Sequence, residues 1–284
     1  MLIAAVMSLT GHGINYGIDF AGGLNLQYDM GAAYDKADVE EALKAQGIEE
    51  FVVSSVGSDG TTVQIRVPTL SSEDEVQNLQ NGLESVLLEK YPDMDTDNAT
   101  ASYVGPVAGA TLVRNAVFSV LIAAALMLIY IAFRFDLFSG IAAVVGLLHD
   151  VLIMISFMVI LRSVIQMNSS FIAAMLTIVG YSINNTIVIF DRIRENNKKP
   201  ALAGQPRSEI VELSVKESLG RTINTTLTTL VTIVTLYILG VASIREFSLP
   251  IIIGILAGAY SANLINGYVW AALEDARLAR KSQK

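Results

Sequence analysis

Thr177–Glu195, TIVGYSINNTIVIFDRIRE, is the stretch whose reading decides the fold. It begins inside an uninterrupted apolar block, carries Gly180, Ser182, Asn184 and Asn185 in its middle, and closes on Asp191-Arg192. Amides flanked by Ile and Val are costly in hydrocarbon unless something pairs with them. A helix that keeps them packs them against neighbouring helices or around a pathway. Outward from this stretch the chain supplies such neighbours: Val113–Phe133, Phe138–Leu161, Ser169–Phe190, Arg221–Val241 and Phe247–Leu273 are each long enough for the roughly 20 residues a membrane span needs. Residues 1–9, MLIAAVMSL, are apolar but too short to cross alone. They read as the outer end of a first, truncated span, with an interfacial anchor as the alternative. Six spans result.

Between Leu24 and about Tyr103 the character is that of a water-exposed domain. LNLQYDM alternates like a strand, and Lys36–Gln46 has helical spacing and stops at Gly47. FVVSSV and TTVQIRV, separated by GSDG, read as a hairpin. Ser72–Lys90 reads as a second helix with acids in its first turn, and a last strand covers Ala99–Val104. The order β-α-β-β-α-β is the ferredoxin-like pattern. The expected division is therefore 1–20 for the first span and its exit, 21–106 for the α+β domain, 107–273 for spans two to six, and 274–284 for a basic tail.

Charge supports this arrangement. Of 27 acidic residues, 17 lie between Asp19 and Asp97 against four basic ones, which argues against nucleic acid as a partner there. Basic residues gather in an expected loop (Arg192, Arg194, Lys198, Lys199, Arg207, Lys216) and in the tail (Arg277, Arg280, Lys281, Lys284). The positive-inside rule places that loop and both termini in the cytoplasm, with residues 21–106 outside. There is no cysteine, and two histidines, His12 and His149, do not make a His-rich metal site. No phosphate loop, H-E-x-x-H or G-x-S-x-G motif occurs, so neither a cofactor, a metal nor enzymatic chemistry is expected.

Two further polar features lie inside the spans. His149-Asp150 sits about a dozen residues into its block, where the carboxylate either fixes helix packing or titrates in a proton or ion path. Arg221, Thr225, Thr228, Thr232 and Thr235 step by four and three along one helix face, with Asn224 beside them. They read as a hydrated or interhelical seam; Arg221 can instead snorkel to the interface.

Six strings together resemble one known family: GIDFAGG (with Asp19, Gly22 and Gly23), YVGPVAGATL, FRFDLF, GLLHDVLI, GYSINNTIVIFDRIREN (with Gly180, Asp191 and Arg192) and RTINTTLTTL. They resemble the SecF branch of the SecD/SecF protein-export family, within the RND superfamily. The resemblance implies a polytopic α-helical membrane protein of six transmembrane helices, one RND-type half, with a small α+β ferredoxin-like extracytoplasmic domain. It implies pairing with SecD, separate or fused, association with the SecY-SecE-SecG channel, and YajC and YidC as further partners. It implies use of the proton motive force in the bacterial inner membrane to move exported, unfolded polypeptides. Asp150, Asn184, Asn185, Arg221, Thr225 and Thr228 are the proton-path candidates. The family carries Asp where this chain has Asn185, and an amide does not exchange protons near neutral pH. Position 185 is expected to face Arg221 across the fourth and fifth helices. The alternatives are a non-conducting scaffold that stabilises SecD and the channel, and an RND-type exporter of small or lipidic molecules.

Overall fold

The computed structural model describes residues 1–10, 13–56, 60–68, 70, 72–162 and 165–282. His12, Lys284 and most of the expected GSDG turn lie outside them. In chain order the elements are α1 (Leu2–Leu9), α2 (Ile18–Ala21), β1 (Gly23–Asp29), α3 (Lys36–Ala45), β2 (Val52–Val56), β3 (Thr62–Val67), α4 (Glu73–Lys90) and β4 (Asp95–Val104). Then come α5 (Pro106–Arg134), α6 (Leu137–Ile160), α7 (Ser169–Asn196), a 3-10 turn at Pro200–Leu202, α8 (Arg207–Leu239), α9 (Ala242–Ser261), a π-helical turn (Ala262–Asn266) and α10 (Gly267–Ser282). Contacts divide the chain into two units, 16–116 with 166–169, and 1–15 with 117–165 and 170–284.

The first unit holds an antiparallel sheet in the order β2-β3-β1-β4. Alternation in β1 turns Leu24, Leu26 and Tyr28 inward, opposite Val67, Ile65 and Val63 of β3. Val39 and Leu43 of α3 and Val76, Leu79, Leu83 and Leu87 of α4 cover that face. Burying one such side chain fully is worth about 1.5–3 kcal/mol. Asp35 caps α3 by accepting from the Ala37 N–H at 3.0 Å, and Ser72 caps α4 by accepting from Glu75 N–H at 3.3 Å. The strand expected at Ala99–Val104 begins earlier, at Asp95, because Asp95 folds back to accept from the Asp97 and Asn98 amides and starts the pairing with Asp29.

Between α3 and α4 the Asp38 carboxylate accepts from the Lys90 ammonium and, at 2.5 Å, from the Tyr91 hydroxyl. The Lys90 bond first, then the Tyr91 bond, hold the Asp38 carboxyl below its ordinary value. A carboxyl depressed in the fold stabilises it fully above the unfolded value and loses that contribution as pH falls through the folded one. The α3–α4 contact is therefore expected to loosen below about pH 4, the ordinary Asp value, and Asp38→Asn to remove that dependence. Hydrogen exchange of the α3 and α4 amides, corrected for intrinsic rate, measures it. The effect is small, as for other exposed pairs.

The GIDFAGG string explains its own glycines. Gly22 ends α2 at φ 78°, and Gly23 opens β1 at φ 111°. A β-carbon on Gly23 would sit 2.4 Å from the Val67 carbonyl oxygen and 2.8 Å from the Pro68 α-carbon. Asp19, in α2, accepts from the Ser169 backbone N–H at 2.7 Å and from its hydroxyl, so the motif's carboxylate caps the first residue of α7. Just upstream, Gly17 N–H donates to the Met167 carbonyl at 2.9 Å.

Among the described residues, five helical segments are long and apolar enough to cross a membrane: Ala108–Arg134, Leu137–Ile160, Ser169–Asn196, Arg207–Leu239 and Ser243–Arg280. The protein is an integral membrane protein. α1 has eight residues, about 12 Å at 1.5 Å per residue, and packs on α6. Helices run further than the apolar blocks. The basic segment expected as a loop is largely helical, with Arg192 and Arg194 in the last turns of α7 and Arg207 and Lys216 in the first turns of α8. The tail from residue 274 likewise continues α10 as far as Ser282. Charged residues at helix ends satisfy the water-exposed turns without ending the hydrogen-bond ladder. α6 begins where Asp136 accepts from Ser139 N–H at 2.9 Å and from its hydroxyl at 2.7 Å.

Candidate functional site

Within the helical unit the inner face of α6 is Ala143, Leu147, Asp150 and Met154, at helical steps of four and three. Three apolar positions on that face are ordinary packing; the fourth is a carboxylate with no exposed surface. Asp150 Oδ2 accepts from the Ser182 hydroxyl of α7 at 2.5 Å and from the Ser261 hydroxyl of α9 at 2.9 Å. Its other oxygen lies 3.0 Å from His149 Nδ1, and the His149 ring stacks on Tyr260 at 5.8 Å between centroids. One carboxylate thus ties three membrane helices together.

Close approach of α9 to α7 makes this possible. A β-carbon on Gly258 would lie 3.0 Å from the Ser182 β-carbon, and one on Gly254 would lie 2.5 Å from an Ile178 side-chain carbon. Gly254, Gly258 and Ser261 therefore form the small-residue face that seats α9, as such faces do in membranes. The polar strip continues along α7. The Thr186 hydroxyl donates to the Ser182 carbonyl at 3.0 Å and accepts from Asn266 Nδ2 at 2.7 Å. Asn266 belongs to the π-helical turn, a feature that recurs at functional sites. Its Oδ1 is buried without a partner among the described residues, as is Nδ2 of Asn185, itself 1% exposed. The space for Asn266 is Gly146, where a β-carbon would come within 1.9 Å of Asn266 Oδ1.

The sequence candidates separate into two sets. Asp150 and Asn185 are inside the bundle; Asn184, the neighbour of Asn185, is exposed. On α8 the buried stripe is Val211, Ser214, Ser218, Thr222 and Thr226, with Ile233 beyond. Thr222 donates to Asn263 Oδ1 at 3.3 Å, and the Tyr181 hydroxyl donates to Thr226 at 3.4 Å. Within this chain the buried row lies one position over from the Arg221–Thr235 row. Arg221, Thr228, Thr232 and Thr235 are exposed and Thr225 is half-buried. Their hydroxyls bond their own helix, Thr225 to the Arg221 carbonyl at 2.9 Å and Thr228 to the Asn224 carbonyl at 3.0 Å. The Arg221 guanidinium has no hydrogen bond or ion pair among the described residues, so the expected pairing with position 185 does not occur: one side chain is inside and the other outside. A step of one residue turns a helix by about 100°, enough to exchange a buried stripe for an exposed one.

Gly180 is exposed, with nothing within 4 Å of a β-carbon built there. Asp191 pairs with Arg134 at 3.3 Å, and Arg192 pairs with Glu217 at 2.7 Å and Glu195 at 2.6 Å. Asn196 Nδ2 donates to Ser214 at 2.9 Å and to Glu217 at 2.8 Å. The charged end of α7 therefore fastens α7 to α5 and α8. Sequence reasoning missed Ser261, Thr186, Thr222 and Thr226. The step from Gly254 and Gly258 to Ser261 was a usable signal, since it continues one face. Among the described residues no three His, Asp or Glu side chains converge as a metal site.

A bundle of membrane-length helices with a carboxylate bonded across its interior, and a small α+β unit entered through a double-glycine turn, define a polytopic membrane protein. The family of export proteins described as "Protein export membrane protein SecD/SecF, C-terminal" matches residues 84–276, and the SecD/SecF GG motif matches residues 8–30. The chain is 36% identical over 252 residues to the protein translocase subunit SecF of Rickettsia bellii, covering 89% of this chain and 81% of that protein. It is 32% identical over 285 residues to the protein translocase subunit SecDF of Bacillus subtilis, covering 99% of this chain and 37% of the relative. The crystal structure of SecDF from Thermus thermophilus, titled a translocon-associated membrane protein, superposes with a TM-score of 0.78 at 35% identity, over 96% of this chain and 36% of that one. The chain belongs to the SecD/SecF family.

Proposed function

We propose that the chain is the SecF-type subunit of the Sec export machinery, which pairs with a SecD partner and uses proton movement through the membrane bundle to promote translocation of exported polypeptides. The observation that carries the proposal is the likeness, over almost the whole chain, to 37% and 36% of the length of two SecDF proteins, whose remaining length is room for the SecD half. α1 belongs to a sixth span in this reading, and the sheet order β2-β3-β1-β4 with two helices on one face fits the ferredoxin-like fold. The 17 acidic residues between Asp19 and Asp97 and the basic ends of α7, α8 and α10 favour an inner-membrane orientation with that domain outside and both termini in the cytoplasm. The exposed Arg221–Thr235 stripe is the face turned toward SecD, since an unpaired cation and a row of hydroxyls are poor company for lipid. The SecY-SecE-SecG channel, YajC and YidC are the further partners.

In this reading Asp150 is the protonatable group of the bundle interior, Ser182 and Ser261 hold its charged form, and Thr186, Asn266 and Asn185 extend a polar strip from it. Asn185 is the specific observation favouring the second reading, a non-conducting scaffold, because the amide carries no proton. Asn185→Asp decides between them. Proton-driven stimulation of export, measured with SecD in vesicles bearing an imposed pH gradient, is expected to rise severalfold. An unchanged rate would make position 185 structural and favour the scaffold.

A further inference from the structure

A cavity of about 110 Å³ lies at one end of the helical bundle, lined by Phe135, Asp136, Ser139, Phe190, Ile193, Arg194, Asn197 and Trp270. It sits at the turn between α5 and α6, beside the last turns of α7. Phe133, 90% exposed, and Leu137, 60% exposed, flank the turn, so large apolar side chains project outward at the level of the cavity. An apolar rim beside charged lining groups is what a position between hydrocarbon and headgroups requires. Drug-sized ligands occupy roughly 300–1,000 Å³; this volume suits a headgroup fragment.

The lining is chemically two-sided. Arg134 and Arg192 are committed to carboxylates, but Arg194 is in no ion pair among the described residues and makes only a long bond, 3.4 Å, to the Arg134 carbonyl. Trp270 is 5% exposed, and its indole N–H has no hydrogen-bond partner among the described residues. Arg194 is exposed with donors to spare, and both residues line one cavity. Asp136, which already accepts from Ser139, supplies a carboxylate, and the Phe190 ring, 6.1 Å from Phe135, supplies a face that attracts a cation; the Arg134 guanidinium lies over the Phe135 ring at 5.1 Å.

We propose that this cavity binds the headgroup of a membrane phospholipid bearing a primary amine, its phosphodiester on Arg194 and the Trp270 indole N–H and its ammonium beside Asp136. The phosphate accepts from both, Arg194 being suited to a fork of two bonds. The ammonium donates to Asp136 and lies against the Phe190 ring. Bound there, the lipid bridges the α5–α6 turn, α7 and α10 at the membrane surface.

Trp270 is the sole tryptophan of the chain, so its fluorescence reports the site directly. The purified full chain in detergent is titrated with phosphatidylethanolamine, phosphatidylcholine, phosphatidylglycerol and inorganic phosphate. A saturable emission change with phosphatidylethanolamine is expected, about tenfold weaker for the choline and glycerol lipids, which lose one charge-assisted bond, and absent with inorganic phosphate. Arg194→Gln is expected to weaken the ethanolamine lipid about tenfold, and Arg194→Lys to recover part of that loss. Equal, non-saturating changes with all three lipids would mean general lipid contact and overturn the proposal. So would an equal response to inorganic phosphate, which would make the site one for a free anion, or undiminished affinity in Arg194→Gln. Should Arg194→Gln fail to fold, the lipid ranking on the unaltered chain still decides.

Discussion

Asp150→Asn is expected to leave the bundle assembled while reducing proton-driven stimulation of export by tenfold or more, measured with SecD in vesicles under an imposed pH gradient. The amide keeps the shape of the carboxylate and one acceptor oxygen for the Ser182 and Ser261 hydroxyls. What it loses is a proton site and a charge. Asp150→Leu separates stability from conduction, because it leaves both hydroxyls facing hydrocarbon. Ser261 has a fallback in the Gly258 carbonyl at 3.3 Å. The net cost is therefore about that of one hydrogen bond to a charged group, roughly 1.5–3 kcal/mol, read as a lowered thermal midpoint. If Asp150→Asn conducts normally, the carboxylate is a clamp between helices and nothing more.

Gly23→Ala is expected to destabilise the α+β unit by about 2–5 kcal/mol, the sum of a backbone held at a φ that side chains rarely adopt and of overpacking. The β-carbon would meet the Val67 carbonyl and Pro68, both backbone, so no side chain can swing aside. The same shift cannot be relieved within β1, whose register is set on both sides by β3 and β4. Loss of protease resistance across residues 23–104 of the full chain, with the membrane helices unaffected, is the expected readout. Gly180→Ala is the matched control, since its β-carbon would meet nothing.

The α+β unit was legible because its signals are local. The Gly after residue 46, the acids at Glu73–Glu75 and the alternation of Leu24, Leu26 and Tyr28 each report their own neighbourhood. The apolar blocks marked the membrane helices for the same reason. Their ends did not follow, since a helix leaving the membrane keeps its ladder in water, as α8 does from Arg207 to Ser218. Site residues needed a further step. Asp150 stands out as a charge in an apolar block, but its partners Ser182 and Ser261 are 32 and 111 residues away, and only packing selects them. On α8 the rows Arg221–Thr235 and Ser214–Thr226 are both polar and both regular. Pattern alone does not tell which one turns inward, and the more conspicuous row proved to be the outer one.

The π-helical turn at Ala262–Asn266 has one consequence for everything beyond it. Such a turn holds one residue more than the helix around it, so it works as a phase shifter on the final segment. An unbroken α-helix of the same sequence would carry everything beyond Asn266 about 100° further round, and Trp270 and Ala271, now tucked into the interior, would leave it. Deleting one residue inside the turn removes the surplus and keeps the final segment in phase. A lone codon deletion between Gly267 and Trp270 has no surplus to absorb it and would turn Trp270 away from its seat, although no contacting side chain had been exchanged.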